Sequence, residues 1–166
     1  MHSRKIIAGT VGAVLLTIAV VRIAEGQSNN NRSAAPPDVQ KAVLARLTEI
    51  QNAAQALDPD KVFSFVLEND AGALIQNGRL FLTRKEALES TKQGFQRLAK
   101  VEYRFNQQQV TLLSPTVALA VGDGSTSATT DDGRTFTTQF AQSVVFVLTN
   151  GEWKVFHSHR SFPQAR

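Results

Sequence analysis

The sequence predicts an α+β fold in which three helices wrap a cone-shaped, curved antiparallel sheet built from a small hairpin and a four-stranded meander. Three observations predict it. Apolar residues recur at spacings of three and four between Asp38 and Leu57 and again after Thr83, the period of a helix with one buried face. From Val101 onward the pattern changes to four long runs rich in β-branched and aromatic residues. Ser114–Pro115, Asp131-Asp132-Gly133 and Asn150–Gly151 separate those runs, and each group sets a tight turn.

The first helix carries Val39, Val43, Leu47, Ile50, Ala54 and Leu57 on one face, with Asp38 as its expected N-cap. The Asp58–Pro59 step ends it, because the residue before a proline avoids helical geometry. The same step opens a second helix, with Asp58 as cap and Pro59 at the first helical position. Ala71 to Leu82 reads as a hairpin about Asn77–Gly78. Thr83 and Glu86 form a capping-box pattern for a third helix, with Leu88, Thr91, Phe95 and Leu98 on one face. The strands follow at Val101–Leu113, Thr116–Thr130, Arg134–Thr149 and Glu152–Phe162. Gly122 and Gly124, inside the second of these, mark a bend or bulge. A bent sheet closed by helices leaves a conical cavity suited to a small ligand.

Both faces of the sheet read as apolar. Val117, Leu119 and Val121 alternate with Ala118 and Ala120, and Val145 and Val147 alternate with Val144, Phe146 and Leu148. An antiparallel sheet with one wet face alternates cleanly. The helices cover one face, so a second subunit is the economical cover for the other, and a homodimer packed sheet to sheet is expected.

The N-terminus reads as an address. A short basic segment precedes Ile6–Val21, an uninterrupted apolar run that ends at Arg22. This is the layout of a secretory signal peptide, with Ala24 and Gly26 before a cut at Gln27. As a helix the run is about 24 Å long, short of the roughly 30 Å of a bilayer core. The expected organisation is a signal peptide at residues 1–26, a disordered linker at 27–37 and one domain at 38–166. The folded part is then secreted or periplasmic, and membrane contact is expected only if the segment stays uncleaved as an anchor.

Composition excludes several functions. The 166 residues suffice for one domain with a core. There is no cysteine, which rules out disulfides, thiolate metal sites and thiol nucleophiles. The net charge is +4, and the basic residues lie scattered among acidic ones, so no nucleic-acid partner is expected. No cofactor motif is present. A metal site would need a third ligand beside His157 and His159, and none stands at a telling spacing, so no metal is expected.

The C-terminal residues Gly151, Trp153, His157, His159, Arg160 and Ser161, with this order of elements, resemble the SnoaL-like or nuclear-transport-factor-type superfamily. They are especially similar to the association (hub) domain of calcium/calmodulin-dependent protein kinase and its bacterial relatives. The resemblance implies a cystatin-like α+β barrel. It extends to isomerases, dehydratases, cyclases, binding modules and oligomerisation domains, so fold alone does not choose an activity. In the hub relatives several cavity arginines can hold a carboxylate. Here only Arg160 stands at a matching position, and Val144 occupies the place of a second.

The candidate residues follow from parity. Arg160 offers a two-pronged guanidinium for an anionic group, and Ser158 shares its face with Phe156. Tyr103, inward with Val101 and Phe105, offers a hydroxyl, and Gln142 shares the parity of Phe140 and Val144. Glu86 lies near the cavity by the resemblance, although the capping box accounts for it equally well. His157 and His159 are acid–base candidates on the parity of Trp153 and Val155. They and Arg160 exclude one another from the cavity unless a bulge intervenes. Asp70 and Asp123 are loosely placed carboxylates. Three functions remain open: binding of a small, mostly apolar ligand, acid–base catalysis in the same cavity, and structural assembly.

Overall fold

The computed structural model describes residues 34–163, apart from Ala71. The expected signal peptide, and the linker as far as residue 33, lie outside the described residues. Three helices, α1 (Pro37–Gln55), α2 (Pro59–Ser64) and α3 (Arg84–Phe95), accompany six strands. The strands are β1 (Leu74–Gln76), β2 (Arg79–Phe81), β3 (Leu98–Ser114), β4 (Val117–Thr130), β5 (Thr135–Thr149) and β6 (Glu152–Ser161). They form one curved, unclosed sheet in the order β2-β1-β6-β5-β4-β3. All neighbours are antiparallel except β1 and β6. The fold is the α+β cone expected.

Local chemistry sets the element ends. The Lys61 N–H donates to Asp58 Oδ1 at 2.8 Å, as the cap reading required. The capping box of α3 is complete: the Glu86 N–H donates to Thr83 Oγ1 at 3.1 Å, and Glu86 Oε2 accepts from the N–H groups of Thr83 and Leu82 at 3.2 and 3.1 Å. Asn77 and Gly78, and likewise Asn150 and Gly151, all have positive φ, the conformation that two-residue hairpin turns require. Several boundaries differ from expectation: α1 ends at Gln55, short of Leu57, whose φ is positive, and α3 ends at Phe95, so Leu98 opens β3 instead of lying on the helix face. Pro36, not Asp38, caps α1, and Pro37 takes its first position. Ala35, within the expected linker, is buried, and its N–H donates to the Val110 carbonyl at 3.0 Å.

The main core lies between α1 and the inner sheet face. Val43 and Leu47 meet Ala118, Ala120, Val144, Phe146, Trp153 and Val155. The two alanines let the helix approach the sheet closely. Phe146 is fully buried, and burial of such a side chain contributes about 1.5–3 kcal/mol. A smaller cluster of Phe63, Phe81 and Ala87 joins α2, β2 and α3.

Two bulges decide which residues face inward. In β3, Phe105 pairs with Gly124 and Gln107 with Asp123, so Asn106 is the extra residue. In β6, Val155 pairs with Phe146 and His157 with Val145, so Phe156 is the extra residue. Beyond a bulge the facing of the strand reverses relative to simple alternation. Trp153, Val155, Ser158 and Arg160 therefore share the inner face. The expectation that Ser158 and Arg160 oppose Trp153 and Val155 is corrected.

Gly124 lies against the backbone of β3, beside the bulge at Asn106. A Cβ there would overlap the Arg104 carbonyl oxygen, so only glycine fits. At the free edge of β3, two glutamines of α1 take both backbone groups of one residue. Gln51 Nε2 donates to the Tyr103 carbonyl at 3.2 Å, and the Tyr103 N–H donates to Gln55 Oε1 at 3.1 Å. On the outer sheet face Val117, Leu119, Val121, Val145 and Val147 are half-buried or exposed, with Val121 at 40%.

Candidate functional site

The cone encloses a cavity of about 770 Å³ between the sheet and the three helices. Six of the ten phenylalanines line it. They sit there because alternation on the bulged strands turns their parity inward, and because α2 and α3 close the wide end of the cone.

Arg160 is the polar centre. Its Nη2 donates to Gln142 Oε1 at 2.8 Å. Its guanidinium carbon lies 4.8 Å from the Phe140 ring centroid and 5.2 Å from that of Tyr103. Phe140 in turn meets Phe105 and Tyr103 edge-on, at 5.3 and 6.3 Å between centroids. Each cation–π contact is worth about 0.5–2 kcal/mol and fixes the plane of the guanidinium. Among the described residues Arg160 has no ion pair, and it lines the cavity. Among the described residues Arg79 is the one other charged side chain in the lining, which holds no aspartate, glutamate, histidine or lysine.

The structure thus brings Tyr103, Gln142, Ser158 and Arg160 together. It does not bring Glu86 with them. Both N–H groups that precede α3 occupy its carboxylate, which lines a separate shallow groove beside β2. The capping role accounts for the residue. His157 and His159 also lie outside the cavity, because the bulge at Phe156 turns them to the outer face. His157 Nδ1 stands 2.7 Å from the Gly72 carbonyl and donates to it, clipping the loop before β1 onto β6. Asp123 is on the outer face as well, where its Oδ2 accepts from Asn106 Nδ2 at 2.8 Å. Asp70 is absent from the lining. Among the described residues no three His, Cys, Asp or Glu side chains converge to hold a metal ion.

Several polar lining residues went unread in the sequence, among them Gln76, Arg79, Thr126 and Thr138. The parity of β4 gave a signal for Thr126, which lies four residues beyond Gly122. Its Oγ1 is buried without a hydrogen-bond partner.

A curved sheet closed by helices over an apolar cavity defines a cone-shaped α+β scaffold of the cystatin-like kind. The chain belongs to the SnoaL-like domain family, whose profile matches residues 43–165. No curated protein matches the sequence. Solved structures agree on the fold. A candidate calcium/calmodulin-dependent protein kinase II association domain from Xanthomonas campestris is 19% identical, with a TM-score of 0.66 over 75% of this chain and 87% of that one. A candidate dehydratase of the NTF2-like family from Streptomyces avermitilis is 18% identical, with a TM-score of 0.69 over 78% of this chain and 100% of its own. An uncharacterised protein with a cystatin-like fold from Caulobacter vibrioides is 17% identical, with a TM-score of 0.63 over 75% and 89% of the two chains.

Proposed function

We propose that the chain is an exported SnoaL-like domain that binds a small, mostly apolar ligand whose anionic end rests on Arg160. One observation carries this reading: a guanidinium held in place by Gln142, Phe140 and Tyr103 opens into an apolar cavity that offers it no carboxylate. A cation in surroundings of low polarity is costly unless paired, and a ligand carboxylate supplies the pair. Tyr103 and Ser158 add hydroxyls beside it. An apolar monocarboxylate such as decanoate, titrated calorimetrically, is expected to bind. Arg160→Ala should weaken it by about 30-fold or more, the cost of removing one partner of a desolvated charge pair. Equal affinity in the variant sinks the reading.

The candidate dehydratase among the similar structures raises the acid–base alternative, an isomerase, dehydratase or cyclase. Such chemistry needs a positioned proton carrier. With both histidines and the loose carboxylates outside, Tyr103 is the side chain left for that role, so the lining favours binding over turnover. Turnover that is lost in Tyr103→Phe while ligand affinity persists would reverse this choice.

The reading includes a homodimer through the outer sheet face, supported by the uncovered stripe of Val117, Leu119, Val121, Val145 and Val147. Light scattering at micromolar concentration tests it, and a monomeric mass refutes it. Export rests on the basic start and apolar run of residues 1–26. The mass of the mature protein tests cleavage there.

A further inference from the structure

Residues directly opposite one another on neighbouring strands point to the same side of a sheet. Arg79 pairs with Gln76, Gln76 with Arg160, and Arg160 with Gln142. Two guanidiniums and two amides therefore alternate in one row across β2, β1, β6 and β5, and all four line the cavity. Gln76 separates the arginines, so their backbones stand two strand spacings apart, roughly 10 Å.

The two side chains lean in opposite directions along the strands. Arg160 lies over Phe140, which precedes Gln142 on β5 toward the Ser161 end of β6. Arg79 lies 5.0 Å from the ring centroid of Phe81, which is level with Leu74 and so with Ser158. They cannot clamp one anion together. Neither has an ion pair among the described residues. Of the nearby acids in the groove beside Arg79, Glu86 is committed to the cap of α3, and Glu89 lies 3.8 Å from Lys92.

We infer that the cavity takes a dicarboxylate: an apolar body with an anionic group at each end, the inner on Arg160 and the outer on Arg79 at the mouth. The apolar lining of the cavity accommodates the body, and the two amides space and orient the charges. This rests on the reading of Arg160 as an anion site and adds a second one.

Calorimetric titration of the full chain with decanoate and with decanedioate at low salt tests the inference. The diacid is expected to bind about fivefold more tightly, the scale of a solvent-accessible ion pair. The gap should close as salt screens the exposed mouth. Arg79→Gln should abolish the gap, whereas Arg160→Gln should weaken both acids. Equal affinities for the two acids in the wild type, or a gap that survives Arg79→Gln, overturn the dicarboxylate inference alone. Failure of decanoate and decanedioate both to bind overturns the Arg160 reading together with it.

Discussion

Gly124→Ala adds one methyl group where β4 lies against the backbone of β3, and its cost follows from the contacts it would make. The new Cβ would overlap the Arg104 carbonyl oxygen and stand 3.0 Å from the Arg104 carbonyl carbon and the Phe105 Cα. All three obstacles are backbone, so no rotamer change relieves them. Strands β3 and β4 must part locally by about an ångström, at a cost of about 3 kcal/mol, the upper end for overpacking. For a domain of this size that lowers the thermal midpoint by about 12 °C, at roughly 4 °C per kcal/mol. Two companion variants calibrate the estimate. At Gly122 the added Cβ meets the Gln107 carbonyl oxygen at 2.7 Å and the movable Gln108 side chain at 3.2 Å, so alanine there should cost less. At Gly94 in α3 nothing lies within 4 Å, and alanine should stabilise by about 0.5–1 kcal/mol through helix propensity. Thermal melts followed by circular dichroism rank the three. A midpoint for Gly124→Ala within 2 °C of the wild type would refute the argument that this glycine is held by close backbone approach.

Thr126→Val should raise stability by about 1 kcal/mol, measured by urea unfolding, because it removes a buried hydroxyl that has no partner. His157→Ala should speed hydrogen exchange in the loop before β1 with a global cost near 1 kcal/mol, since it deletes the bond to the Gly72 carbonyl. Hydrogen bonds from Arg134 and Lys154 hold the Asp132 and Glu152 carboxyls below their ordinary values. The stability they contribute is present above the unfolded carboxylate range, near pH 4, and is lost as pH falls through the folded values. Arg134→Gln should therefore shrink the drop in thermal midpoint between pH 7 and pH 3. On the alkaline side, a hydrogen bond to Asp60 raises Lys92, so its contribution is full below the unfolded lysine value and fades as pH climbs past it. Asp60→Asn should flatten that limb.

What could be read from the sequence was what short-range chemistry decides. Asp58 with Pro59, Thr83 with Glu86, and the two Asn–Gly turns each act within four residues, and each stands where it was expected. The cavity residues on regular stretches of strand, Tyr103 and Gln142, also followed from alternation. Arg160 was identified, but its facing was not, because Phe156 looks like an ordinary member of an alternating strand. Only its two neighbours, β5 on one side and the loop before β1 on the other, make it the extra residue. Arg79 went unread for a related reason. A three-residue strand has too little pattern to set its own facing, and the long-range pairing of β1 with β6 is what turns it inward.

The glutamine pair of α1 has a consequence for how copies of the chain can grow together. A 17-residue border strand such as β3 is a template for adding further strands, the route to fibrils. Here Gln51 and Gln55 occupy the backbone of Tyr103, the Asn106 bulge interrupts the ladder, and Ala35 takes the Val110 carbonyl. The opposite border, β2, is three residues long. Polymerisation by side-by-side strand addition is thus obstructed along both borders.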